Sequence, residues 1–141
     1  MSIPQSGGGP IERHEQLAEF LADGCKPKDA WRIGTEHEKF GYCKDTLLPL
    51  PYEGDRSIRA MLEGLRDGFA WNPVLEGDHI VGLEKEGANV SLEPGGQLEL
   101  SGAPLETIHE TCDEVNSHLA EVKAVADKIG VRFIGLGAAP E

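Results

Sequence analysis

The chain has 141 residues, the length of one ordinary domain, and its 39% apolar and 27% charged residues are typical of a globular protein with a modest core. Its 25 acidic and 13 basic side chains give a formal net charge of −12, which disfavours nucleic acid and anionic membranes as partners and suits a protein that binds cations. No apolar run approaches the ~18 residues of a transmembrane helix.

Apolar periodicity, together with glycine, proline and capping residues, predicts alternating helices and strands. The elements expected in chain order are a flexible lead-in over 1–10, a helix over 12–21, a strand over 31–42, a helix from a cap at Asp55 or Ser57 to Arg66, strands over 79–83, 89–92 and 97–100, a helix from Pro104 to Ile129 and a strand over 131–136. This order indicates an α+β fold, a mostly antiparallel sheet with helices on one face. The sequence stops soon after the last strand, from which we expect a fragment.

The longest predicted helix carries apolar residues at spacings of three or four, the pattern of a helix with one buried face. Those residues are Leu105, Ile108, Cys112, Val115, Leu119, Val122, Ala126 and Ile129. Pro104 occupies the expected first helical position, and Gly130 the position just after the last turn, where glycine ends many helices. Cys112 is therefore expected to be buried.

Two glutamates, Glu36 and Glu38, are two residues apart in the strand predicted over 31–42. Side chains two apart in a strand leave the same face, so these carboxylates project together. Taken alone, such a pair most often lies on the solvent face of an amphipathic sheet.

A second set of polar residues alternates with leucines between residues 91 and 101. The leucines at one parity are Leu92, Leu98 and Leu100, and the polar residues at the other are Glu93, Gln97, Glu99 and Ser101. If the leucines form the core face, both glutamates leave the opposite face. Neighbouring strands would then bring four carboxylates together.

Four carboxylates on one face need a counter-charge or full solvation, because two unit charges ~4 Å apart repel by roughly 4 kcal/mol at an effective dielectric constant near 20. Hard divalent cations prefer oxygen ligands, and Mg²⁺ is commonly held by a few carboxylates together with substrate phosphates. A solvated acidic face and a site for Mg²⁺ (or Mn²⁺) are the two interpretations that the pattern leaves open.

Two segments resemble the glutamate–cysteine ligase family in the form found in plants and proteobacteria: residues 32–41 (RIGTEHEKFG) and residues 91–107 (SLEPGGQLELSGAPLET). Residues 112–119 (CDEVNSHL) and 122–125 (VKAV) resemble the same family. The resemblance extends over residues 12–137. Members of the family are considerably longer than this chain.

The resemblance implies a fold similar to the glutamine synthetase catalytic domain, of which residues 11–141 would be the N-terminal part, completed by the rest of the ligase chain. It implies an ATP-dependent reaction that joins the γ-carboxylate of L-glutamate to the amine of L-cysteine through γ-glutamyl phosphate, the first step of glutathione biosynthesis. The 141 residues alone are expected to be inactive.

The resemblance also assigns site residues. The family's metal-binding glutamates correspond to Glu36, Glu38, Glu93 and Glu99, which would hold Mg²⁺ or Mn²⁺. Gln97 is a weaker candidate for a polar contact with substrate or nucleotide. No catalytic residue is assigned.

Two other functions stay open at this point. Another carboxylate–amine ligase of the same fold would carry the same carboxylates, because nothing in these residues selects cysteine. A non-catalytic protein that binds a divalent cation, or that pairs with a partner through an open sheet edge, would also fit.

The cysteines and the N-terminus bear on location. Cys25, Cys43 and Cys112 are odd in number and lack CxxC spacing, which indicates free thiols in a reducing compartment. The N-terminus has neither the basic nor the apolar region of a secretory signal. The expected location is therefore the cytoplasm.

Overall fold

The computed structural model describes residues 9–139, so the predicted lead-in over 1–10 lies outside it except for its last two residues. Within that range the helices are α1 (Glu15–Asp23), α2 (Ile58–Phe69) and α3 (Ile108–Ile129), with a short 3₁₀ helix at Lys28–Ala30. The strands are β1 (Glu36–Cys43), β2 (Asn72–Glu76), β3 (His79–Lys85), β4 (Ala88–Glu93), β5 (Gln97–Ser101) and β6 (Val131–Ile134). The predicted α+β class is confirmed.

The strands of the described chain form one antiparallel sheet in the order β2-β3-β4-β5-β1-β6. Strand β1 changes partner along its length, because residues 36–39 pair with β5 and residues 40–43 pair with β6. The strand begins later than predicted. Trp31 ends the 3₁₀ helix, and Ile33 forms an isolated bridge to Leu105.

Helices α2 and α3 pack on one face of the sheet and build the core with it. Met61, Leu62 and Leu65 of α2 are fully buried in one cluster with Leu98 and Leu100 of β5. Burying a side chain of this size stabilises the fold by about 1.5–3 kcal/mol relative to leaving it exposed. Leu98 and Leu100 thus lie on the core face of the sheet, as their alternation in the sequence predicts.

Helix α2 begins at the predicted cap. The Ser57 hydroxyl accepts a hydrogen bond from the N–H of Ala60 and donates one to the carbonyl of Gly54. A serine in this position satisfies one of the N–H groups that the first turn leaves without a partner, which is worth ~1 kcal/mol. The helix continues past the predicted end at Arg66 to Phe69.

Helix α3 begins later than predicted. Thr107 and Glu110 form a capping box, in which each side chain accepts a hydrogen bond from the other residue's backbone N–H. Pro104 therefore precedes the helix, and Leu105 pairs with Ile33 instead of forming the first turn.

Most of the predicted apolar stripe of α3 does not face the sheet over the first half of the helix. Ile108 is 57% exposed, Leu119 is 38% exposed, and Cys112 is exposed as well. The buried residues of this half are Thr111 and His118, and Val115 of the predicted stripe is half-buried against the core. The expected burial of Cys112 is wrong for this reason. In the second half, Val122 and Ala126 are buried as the periodicity predicts, and Val125, one position before Ala126, is buried as well.

Helix α1 begins three residues later and ends two residues later than predicted, and its apolar side is uncovered in the described residues. None of its residues is buried, and Phe20 and Leu21 are 79% and 75% exposed. Among the helices of residues 9–139, none combines the length and hydrophobicity needed to cross a membrane.

Candidate functional site

The register of three adjacent strands places every predicted site residue on one face of the sheet. The paired residues are Glu38 with Glu99, Glu99 with Ser91, Glu36 with Ser101 and Glu93 with Gln97. Residues paired across antiparallel strands project to the same side. The structure therefore brings the four glutamates and the glutamine onto the face opposite the one that α2 and α3 cover.

The carboxylates on this face differ in burial. Glu99 is 6% exposed, and its Oε2 accepts a hydrogen bond of 3.0 Å from the Ser91 hydroxyl. Glu93 is half-buried, whereas Glu36 and Glu38 are exposed. The interpretation as a solvated face thus fits β1 but not β5.

Gln97 links three segments around the site. Its side-chain amide donates to Oε2 of Glu38 over 3.1 Å and to the backbone carbonyl of Leu136 over 3.2 Å. The side chain is 7% exposed. Gln97 therefore holds the Glu38 carboxylate next to the segment that follows β6.

An open depression lies beside the exposed carboxylates. It is lined by Glu36 and Glu38 of β1 and by residues 135–137. The depression exists because β6 pairs with β1 only from Phe40 onward, which leaves the first half of β1 bordered by a loop on that side.

The donor chemistry of the face suits a hard divalent cation, because carboxylate oxygens are the ligands that Mg²⁺ and Mn²⁺ prefer. The side chains themselves do not converge. Within residues 9–139, no group of three or more histidine, cysteine, aspartate or glutamate side chains is arranged to hold a metal ion. The donor type and the shared face fit such a cation, and the present spacing of the carboxylates does not.

Sequence reasoning misses Lys39, which lies on the core side of β1 and is 1% exposed. Its ammonium donates to the carbonyls of His37 (3.0 Å) and Leu98 (3.2 Å) and lies 3.3 Å from Nδ1 of His37. Burial lowers the pKa of Lys39 to about 8, while the charge of Glu99 acts in the opposite direction. The sequence offered one signal for this residue, because the strand alternation that places Glu36 and Glu38 on one face places Lys39 on the core face.

A second buried polar group on the core side is His118 of α3, which is 3% exposed. Its ring packs edge-on against Trp71 at 6.3 Å between centroids, and neither ring nitrogen has a hydrogen-bond partner in the described residues. Burial lowers its pKa to about 3, with smaller contributions from the charges of Lys39 and His37. The imidazole is therefore neutral at pH 7. It borders a pocket of about 130 Å³ lined also by Trp71, Lys85, Leu100, Glu114 and Glu121.

Comparison with known proteins gives a consistent result. Residues 32–141 match the model of the family described as glutamate-cysteine ligase family 2 (GCS2). The chain is 55% identical over 127 residues to the chloroplastic glutamate–cysteine ligase of Medicago truncatula and 56% identical over 127 residues to that of Nicotiana tabacum, with 90% of this chain and 24% of each relative covered. It is 54% identical over 132 residues to the Arabidopsis thaliana protein of the same name, with 94% of this chain and 24% of the relative covered. The chain thus spans about a quarter of the length of these curated relatives.

The names of these relatives correct one expectation. Each of the three is called chloroplastic. The cytoplasmic location expected from the cysteines and the N-terminus is therefore wrong. Sparse cysteines without CxxC spacing indicate a reducing compartment but do not distinguish the cytoplasm from other reducing compartments of the cell.

Proposed function

The chain belongs to glutamate-cysteine ligase family 2, and from this membership we propose that it is the N-terminal part of an ATP-dependent ligase. The enzyme joins the γ-carboxylate of L-glutamate to the amine of L-cysteine, the first step of glutathione biosynthesis. The observation that carries the proposal is the register of β4, β5 and β1, which sets four glutamates on one face inside the two segments that resemble the family.

The proposed reaction has two steps. An oxygen of the γ-carboxylate attacks the terminal phosphorus of ATP, the bond to ADP breaks, and γ-glutamyl phosphate forms. The cysteine amine then attacks the acyl carbon, inorganic phosphate leaves, and the amine loses a proton. The first step brings two anionic groups together, and the second leaves negative charge on the departing phosphate, so both need positive charge near the phosphoryl group.

We assign the carboxylates Glu36, Glu38, Glu93 and Glu99 as ligands of Mg²⁺ or Mn²⁺. A bound divalent cation would supply charge neutralisation and orientation for the phosphates. Ser91 and Gln97 orient the carboxylates of Glu99 and Glu38 through the hydrogen bonds described above. Because the glutamates do not converge in residues 9–139, the complete site needs side-chain rotation and further ligands from elsewhere in the enzyme.

Uncovered apolar surface supports a role for the rest of a longer chain. Phe20 and Leu21 of α1 and Ile108 and Leu119 of α3 are exposed, and apolar faces of helices are normally buried against another element. We propose that residues 11–141 are the N-terminal part of a single domain similar to the catalytic domain of glutamine synthetase. The remaining chain would cover these helices, and the 141 residues alone would be inactive.

The names of the relatives support a plastid location for the enzyme. Import of the protein into isolated chloroplasts, followed by protease treatment of the organelles, tests this part of the proposal. Protection of the imported chain supports it, and complete digestion contradicts it.

The experiment that tests the function is a product assay on the full-length protein. The protein is incubated with ATP, Mg²⁺, L-glutamate and L-cysteine, and γ-glutamylcysteine and ADP are measured by mass spectrometry. Equal amounts of both are expected, and the 141-residue chain in parallel should form neither. Faster turnover with an amine other than cysteine would indicate a different carboxylate–amine ligase, and no ATP-dependent product would contradict the proposal.

A further inference from the structure

Lys39 is a buried ammonium in the sheet, and no carboxylate of residues 9–139 lies at hydrogen-bond distance from it. Its ammonium has three polar neighbours, all neutral acceptors: the carbonyls of His37 and Leu98 and Nδ1 of His37. Burying a charge in this way is costly, and lysine is rarely fully buried. Methionine or leucine would pack in this position without the free-energy cost of burying a charge. The lysine therefore needs an explanation other than packing.

The acceptors of Lys39 belong to the backbone that carries the predicted ligands. His37 lies between Glu36 and Glu38, and Leu98 lies between Gln97 and Glu99. The lysine therefore links β1 to β5 on the core face of the sheet. The side chains of Glu36, Glu38, Gln97 and Glu99 project from the opposite face.

The hydrogen bond from Lys39 to Leu98 lies at the end of the short region in which β1 and β5 are paired. β1 and β5 are paired over four positions, and Lys39 with Leu98 is the last of them. The next residue, Phe40, is paired with Ile134 of β6 instead. The end of a ladder is where strands separate most easily, and the neighbouring pair in this ladder is Glu38 with Glu99.

We propose that Lys39 is a positioning residue that clamps the end of the β1–β5 ladder and so keeps Glu38 opposite Glu99 for cation binding. This inference rests on the proposed function, because it takes the two glutamates as cation ligands. It assigns to the lysine a task separate from substrate contact, since its side chain lies on the face that α2 and α3 cover.

Loss of the lysine charge and loss of its hydrogen bonds are expected to change the affinity for the cation in opposite directions. Replacing the ammonium by an apolar group removes positive charge from behind the carboxylates, which by itself would tighten cation binding. Losing the clamp lets the two strands separate, which weakens cation binding. The sign of the change in affinity therefore distinguishes positioning from a purely electrostatic role.

The test measures binding of Mn²⁺ alone to the full-length protein, from the electron paramagnetic resonance signal of free Mn²⁺. Lys39→Met keeps the length of the side chain and removes its donors, and we expect it to raise the dissociation constant about tenfold, as loss of groups that orient metal ligands commonly does. Lys85→Met is the matched control, because it removes a partly buried ammonium that pairs with Glu121 at 3.1 Å and belongs to β3, which is paired with neither β1 nor β5. It should leave the dissociation constant unchanged.

Each result has a defined meaning. Equal or tighter Mn²⁺ binding by Lys39→Met overturns the positioning role while leaving the proposed function intact. A wild-type protein that binds no Mn²⁺ overturns both. If Lys39→Met does not fold, as judged by tryptophan fluorescence, His37→Leu replaces it, since that variant keeps the lysine and removes one acceptor. It should weaken binding about threefold, the effect of one modest hydrogen bond, and unchanged binding would reject the inference.

Discussion

Glu38 and Glu99 are register partners in the antiparallel pair of β1 and β5, so their carboxylates leave the sheet side by side. Each is oriented by a different neighbour, Glu38 by the amide of Gln97 and Glu99 by the hydroxyl of Ser91. The pairing places both side chains on one face, from which rotation of the side chains could bring the two carboxylates to a shared cation. This pair is the centre of the proposed site.

The Ser91 hydroxyl should influence cation binding through Glu99. Ser91 is buried and donates to Oε2 of Glu99 over 3.0 Å, and loss of a group that orients a metal ligand commonly costs about tenfold in affinity. We expect Ser91→Ala to raise the Mg²⁺ concentration for half-maximal activity of the full-length enzyme about tenfold. Ser117→Ala, at an exposed position on α3, is the control. A metal requirement unchanged by Ser91→Ala would show that the hydroxyl does not orient the carboxylate.

Two glycines of α2 should respond to alanine in opposite directions. A Cβ at Gly64 would overlap a methyl group of Val125 on α3, whereas a Cβ at Gly68 would meet no atom within 4 Å. Gly64→Ala should destabilise the protein by about 1–3 kcal/mol, because the packed helices cannot admit the extra methyl group. Gly68→Ala should stabilise it by about 0.5–1 kcal/mol, because alanine favours the helix. Urea unfolding of both variants measures the difference, and equal effects would contradict the close approach of α2 and α3.

The buried His118 should make stability depend on pH. Its pKa lies at about 3 in the folded state and near the ordinary 6.5 in the unfolded chain. Between these values the unfolded state binds a proton that the folded state does not, so stability falls as the pH drops from 6.5 toward 3. A single group of this kind contributes about 1.4 kcal/mol per pH unit.

The variant His118→Leu isolates this contribution. We expect it to be at least as stable as the wild type at pH 7, because the ring nitrogens have no partners to lose in the described residues. Its advantage should grow with acidification through the same pH range, measured as the difference in free energy of unfolding. His109→Leu, at an exposed position on the same helix, is the control. Parallel pH profiles for wild type and His118→Leu would refute the buried neutral imidazole.

Strand parity predicted the carboxylate face because it depends on a local rule. Side chains alternate strictly along a strand, so Leu92 of β4 and the leucines of β5 indicated the face that Glu93 and Glu99 leave before any partner strand was known. The burial of Glu99 did not follow from the same rule. It depends on β5 being a central strand, flanked by β4 and β1, which is a property of the whole sheet.

Helix periodicity was less reliable for α3. The apolar stripe from Ile108 to Leu119 was expected to face the sheet, but only Val115 of it packs against the core. Thr111 and His118 are the buried residues of this half. A helical stripe shows that some partner is needed, but not which partner. Here the sheet packs against one side of the helix, and we propose that the rest of the enzyme packs against the exposed part of the stripe.

The charge on Glu38 provides the most direct test of the carboxylate site. Glu38→Gln keeps the shape of the side chain and an oxygen that can accept the Gln97 hydrogen bond, but it removes the negative charge. The control is Glu76→Gln, on the exposed edge strand β2. Turnover of both full-length variants is measured at saturating substrates, together with their free energies of unfolding.

The account predicts that Glu38→Gln lowers turnover by about two orders of magnitude, because the proposed cation loses a ligand and the transferred phosphoryl group loses its charge compensation. The free energy of unfolding should change by less than about 0.5 kcal/mol, as expected for an exposed side chain. Turnover equal to that of the wild type and of Glu76→Gln would contradict the assignment of this face as the cation site of the ligase.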